Sequence, residues 1–327
     1  MIRNDLRYAL AGKKPIAIQP LKAMSFLKFA EAATSNPSIA YALSDLERRS
    51  NPKHQQRLGK RGILKKRADD DDFEDLMGGV LNAPEYSYVT TDGVGVIPIK
   101  GVIGKGLTYL EKALGCADID DVTATLENWK DDPYVQEIFF DINSGGGTTT
   151  GLEELAKVIR EYPKMTVAFA DEDCGSAAFW IASQCKRVLA TPSSSWGAVG
   201  VYIVVEDESA KFAEEGKVVN IIRRGDYKGM GVEGTTLSEK QADWMQYEVD
   251  ELARRFIRDV KSVRLFVQDV DLQGQSFYGD IAATKGFVTG VVQSRTEAID
   301  SIKAMRQTAM SIVAAGVQPT TFPQQIG

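Results

Sequence analysis

The sequence predicts an α/β fold, and two observations carry that prediction. From about Tyr86 onward, short runs of strand character alternate with amphipathic stretches of helical spacing, the pattern of strands covered by helices and running largely parallel. The chain also has the means to bury such a sheet, since 43% of its 327 residues are hydrophobic and 26% charged, enough for one large or two modest domains.

The elements follow in order. "GVGVIPIKG" reads as a strand, "DIDDVTATLENWKDD" as a helix with acidic residues in its first turn, and "VQEIFFDI" as a buried strand. "LEELAKVIREY" is helical, "MTVAFAD" a strand, "SAAFWIASQ" a buried helix and "RVLAT" a strand. "AVGVYIVV" and "VVNII" read as further strands. A long helix, "SEKQADWMQYEVDELARRFIRDVKSVR", and a final one, "RTEAIDSIKAMRQTAMSIVAA", complete the body.

Charge divides the chain. Residues 1 to 67 hold 15 Lys and Arg against 4 Asp and Glu, or +11, and the remainder holds 24 against 41, or −17. "GKRGILKKRADDDDFEDL" marks the junction and reads as solvated linker, while "KAMSFLKFAEAAT" and "PSIAYALSDLERR" read as short helices. The expected organisation is a mainly helical, flexible, basic arm with its charged linker at 1–85, a core at 86–312 and a flexible tail at 313–327.

Several chemistries are excluded. The single histidine, His54, lies in the polar "NPKHQQR", so a Ser-His-Asp triad, a Cys-His dyad and a histidine zinc site have no base or ligand within one chain. No GxxxxGK[ST] phosphate loop is present, and neither a cofactor nor a metal is expected. Cys116, Cys174 and Cys185 form no CxxC pair and read as buried free thiols. No run approaches the roughly 18 apolar residues of a membrane span, and the N-terminus lacks a signal-peptide centre, so a cytoplasmic protein without a membrane partner is expected.

Three pieces carry chemistry. In "DINSGGGTTTG", Gly145, Gly146 and Gly147 close a strand, where bare backbone lets N–H groups crowd a ligand oxygen. In "DEDCGSAAFWIASQ", Ser176 stands between small residues at the start of an apolar helix, as a helix cap or as a nucleophile. In "IIRRGDYKGMG", Lys228 sits in a glycine-flanked turn, as a surface charge or as a base, with Arg223 and Arg224 close in sequence.

In this order and spacing, the three pieces resemble the Ser/Lys peptidases of the signal peptide peptidase A family, which includes head-maturation proteases of tailed bacteriophages. "WGAVGV" and "GQSFYGDIAATKGFV" match further stretches, and the resemblance covers roughly Val94 to Val292. It implies a ClpP/crotonase-like fold, Ser176 as nucleophile, Lys228 as general base, and an oxyanion hole from Ala177 with Gly146 or Gly147. It also implies a homo-oligomer in the host cytoplasm, inside the assembling procapsid. Its substrates would be scaffold, capsid or portal-associated proteins and itself, and nucleic acid is not an expected partner. The alternatives are a bacterial signal-peptide-peptidase-like protease, a catalytically silent ring-forming scaffold, and crotonase-like acyl-CoA chemistry. One departure stands out: Ala198 occupies a position where relatives commonly carry a lysine-orienting serine, leaving Ser194, Ser195 or a water for that task.

Overall fold

A computed structural model describes residues 87 to 314 except 109, 110 and 113, together with the backbone of a short strand at 16 to 18. That strand, β1 (Ile16–Ile18), and β2 (Tyr88–Val89) precede the long β3 (Val94–Gly104). After β4 (Ala117–Asp118), helix α1 (Ile119–Trp129) starts where the Asp118 side chain accepts the Asp120 amide, and it buries Ile119, Val122 and Leu126. The next strand, β5 (Glu137–Thr148), runs through all three glycines instead of ending before them.

Strand β5 is the spine. It pairs in parallel with β3 along one edge, and along the other with β6 (Met165–Ala170) and then β7 (Asp173–Gly175). One sheet continues from β6 to β8 (Arg187–Ala190) and β11 (Gly290–Val291), all parallel. The other continues from β7 to β9 (Ser195–Gly197), with β10 (Ser276–Tyr278) antiparallel at its margin. The expected alternation of parallel strands and helices is therefore present.

Helices cover the sheets with their apolar faces. In α2 (Leu152–Arg160), Leu152, Leu155, Ala156 and Ile159 recur at helical spacing and are buried. Every residue of α3 (Ala177–Ser183) is buried. A short α4 (Ser209–Glu214) has no buried residue, and the long α5 (Glu239–Val263) opens on a capping box between Ser238 and Gln241. The far half of α5 clamps α3: Trp180 stacks on Phe256 at 4.6 Å, and Trp180 Nε1 donates to Asp259 Oδ2 at 3.0 Å. Buried Arg264 donates to the carbonyl of Ser183, the last residue of α3, and to that of Cys185 just beyond it. Helices α6 (Gly279–Thr284) and α7 (Arg295–Ala314) complete the chain.

Two predicted strands are absent. Past β9 the segment "AVGVYIVV" makes only a single bridge at Tyr202, because Ala198 at φ 51° turns the backbone out of the sheet and Val204 and Val205 are left exposed. "VVNII" likewise has no ladder, with Val218 and Ile222 facing solvent. The arm expected at 1–85, including His54, lies outside the described residues apart from β1. Of the tail expected at 313–327, the described residues hold only the last two of α7.

Candidate active site

Ser176 joins β7 to α3 at φ 54° and ψ −117°, a region that side-chain-bearing residues rarely occupy and that costs on the order of 1–3 kcal/mol. Its amide donates to the Gly197 carbonyl at 2.7 Å, and its carbonyl accepts the Trp180 amide at 2.8 Å. The residue is buried, yet its side chain makes no capping bond; Oγ instead faces the Gly200 carbonyl at 3.4 Å. A serine retained as a helix cap would turn its oxygen onto the first-turn amides. This one does not.

The glycine strand is brought beside it by a single backbone pairing, Ser144 with Cys174, two residues ahead of Ser176. Ser144 Oγ donates to the Gly101 carbonyl at 2.5 Å and accepts the Gly146 amide at 3.1 Å, which holds the bend of β5 in place. At Gly147 any Cβ would overlap the Ile103 carbonyl oxygen, so only glycine lets β3 and β5 approach this closely. Ala177 is fully buried in the first turn of α3, where an amide has no acceptor within its own helix. Cys174 is no rival nucleophile, because burial pushes its thiol well above the usual range and keeps it protonated. All three cysteines are buried and free.

Lys228 is placed differently. It lies in an exposed turn, its amide donating to Gly225 and its carbonyl accepting Arg223 Nη1, each at 3.3 Å, and no bond links it to Ser176. Arg223 thus bonds the lysine's backbone. The turn is fixed to the start of α5: Lys240 Nζ pairs with Asp226 at 2.6 Å, holding that carboxyl below its usual range, and Gln241 Nε2 donates to the Asp226 carbonyl. Tyr227 packs on Trp244 at 5.2 Å. These anchors were not foreseen, since nothing in the order of residues says that α5 begins beside this turn.

Ser194 does not take over the task of the missing serine at 198. Its Oγ donates to the Thr191 carbonyl and accepts Trp196 Nε1, both at 2.7 Å, in a fully buried position. Ser195 pairs through its backbone with Asp173 and Tyr278. Among the described residues no group of three or more His, Cys, Asp or Glu could hold a metal ion, and no helix is long and apolar enough to cross a membrane.

Residues 160–309, which include both Ser176 and Lys228, match the model of peptidase family S49. The chain is 25% identical over 324 residues to the head-tail preconnector protein GP5 of Enterobacteria phage P21, covering 97% of this chain and 60% of that protein. It is 26% identical over 225 residues to the capsid assembly protease C of Escherichia phage lambda, covering 67% and 50%. The chain thus spans about half to three-fifths of the length of these relatives. Among solved structures, a ClpP1 variant from Listeria monocytogenes matches with a TM-score of 0.41 at 12% identity, covering 62% of this chain and 94% of that one.

Proposed function

We propose that the chain, whose residues 160–309 match the model of peptidase family S49, is a serine endopeptidase of phage head maturation, cutting capsid-associated or scaffold proteins inside the assembling procapsid. The observation that carries this reading is Ser176 itself: buried, strained and free of a capping bond beside a strand of bare glycines. Strain of this kind persists where the surrounding structure holds a reacting group in position.

In the mechanism, Ser176 Oγ attacks the scissile carbonyl and passes its proton to Lys228, since no histidine is at hand. The oxyanion is met by the amides of Ala177 and of Gly147, preferred over Gly146 because that amide already donates to Ser144 Oγ. The base then returns the proton to the departing amine, and water releases the acyl group by the same path.

Lys228 has to approach Ser176 for this to happen. The segment that carries it leaves Val218, Ile222 and Val232 exposed, with Ile222 wholly uncovered, and Tyr247 of α5 is exposed as well. A neighbouring copy would bury that surface, and closure of the segment in a homo-oligomer would seat the lysine. A fluorophosphonate probe tests the nucleophile: an adduct on Ser176, lost in Ser176→Ala together with cleavage of a scaffold substrate, is expected. Normal processing by Ser176→Ala would sink the proposal and leave the silent-scaffold reading or another nucleophile.

A further inference from the structure

We propose that the free edge of β5 at Gly146–Thr148 is a docking track for an extended peptide, and that the chain's own Ile16–Ile18 is its resident occupant, a built-in competitor for substrate. The proposal rests on the reading of Ser176 as nucleophile and adds what governs access to it.

The pairing itself is the starting point. β1 lies antiparallel on β5, with Ile16 opposite Thr148, Ala17 opposite Gly147 and Ile18 opposite Gly146. Gly146 and Gly147 are also paired with Val102 and Ile103 of β3. A strand has two edges, so β1 must hold the edge away from β3. That edge is the one along which β6 and β7 lie, and their order along β5 is β6 at 137–141, β7 at Ser144, then β1 at 146–148. β1 therefore takes the first stretch left open beyond β7, the strand that leads into Ser176.

Direction sharpens the assignment. From Ile16 to Ile18 the backbone advances from Thr148 toward Gly146, and hence toward the Ser144–Cys174 pairing beside the nucleophile. A peptide whose carbonyl is to be attacked by Ser176 from its acyl side would run the same way. Main-chain bonding to an exposed edge takes any extended sequence, and a strand already there satisfies the same groups. Substrate and β1 cannot both be bound.

The test uses the full-length chain carrying Ser176→Ala, with and without Ala17→Pro, and a fluorescein-labelled peptide of residues 14–20, KPIAIQP. Ladder donors alternate along a strand, so proline at 17 or at 18 removes one of them and disfavours the resident strand without touching β5. Ile18→Pro, whose amide faces the side opposite to that of Ala17, is measured in parallel. If β1 fills the edge about nine-tenths of the time, the peptide binds the chain that has lost the donor about tenfold more tightly. Equal affinity for the parent, Ala17→Pro and Ile18→Pro chains, or binding to none of them, overturns the proposal. Fluorophosphonate labelling of the chain with Ser176 intact separates the two ideas: absence of an adduct would remove the nucleophile and leave the peptide result standing.

Discussion

The amide of Ser176 donates to the carbonyl of Gly197 at 2.7 Å, so the site serine is tied to a residue whose successor, Ala198, is the other non-glycine position with positive φ among the described residues. Two strained turns thus brace one another. Gly197 itself, at φ 114°, brings its Cα against the Gln275 backbone where a Cβ would lie 2.8 Å from the carbonyl oxygen. Ala198 completes the link by donating its amide to that same oxygen at 2.7 Å.

Strain at Ser176 sets the sign of a stability measurement. Ser176→Gly should raise stability by about 1 kcal/mol in denaturant unfolding, because glycine accepts φ 54° at no steric cost while no capping bond is lost. A true helix cap would respond in the opposite direction, with a loss of up to a few tenths. Activity should vanish in both Ser176→Gly and Ser176→Ala, down to a residual of roughly 10³ to 10⁴-fold over water.

Lys228→Arg separates a base from a mere cation. Arginine keeps the positive charge and a similar reach but cannot accept a proton, so the variant should be as inactive as Lys228→Ala while assembling normally. Cleavage of a scaffold substrate by both variants is the measurement, and retained activity in Lys228→Arg would remove Lys228 from the mechanism.

Trp180→Phe should keep most of the stacking on Phe256 and lose the indole donor to Asp259. Asp259 is buried, so one carboxylate oxygen is left without its partner, and a loss of about 1–3 kcal/mol is expected in chemical denaturation. A change near zero would mean that Arg258, at 2.9 Å from the other oxygen, suffices for the whole carboxylate.

Glu153 on α2 bonds Arg258 and Arg255 on α5, and the bond to Arg258 chiefly holds its carboxyl below the ordinary 4.5. A folded-state value depressed below the unfolded one contributes stability above about pH 4.5, and that contribution is lost as pH falls through the depressed folded value. Glu153→Gln should therefore cost less than about 1 kcal/mol at pH 7, the pair being partly exposed, and nothing once the carboxyl is protonated in both states. Thermal unfolding of both chains across that range gives the comparison.

The central strands and helices were legible because their apolar residues recur at strand or helix spacing: β3, β5, β6 and β8 and the helices α1, α2, α3, α5 and α7 stand where the pattern puts them. "AVGVYIVV" misled because its composition suits a strand, whereas a single backbone angle at Ala198 removes the chain from any partner. At the site, the nearness of Ser176 to the glycines follows from two strands meeting at Ser144 and Cys174, which motif order could suggest. The distance from Ser176 to Lys228 could not be read in advance, since it depends on a turn docked on α5 and on surface that one chain leaves bare.

The resident strand on Gly146–Thr148 has a quantitative consequence for when the enzyme would act. A competitor carried on the same chain as its target is present at a local concentration that does not fall however dilute the protein is. Peptides met singly in free solution would rarely displace it, whereas protein packed at comparable density within a closed shell would. Confinement alone would then serve as the trigger, with no activating ligand or modification required.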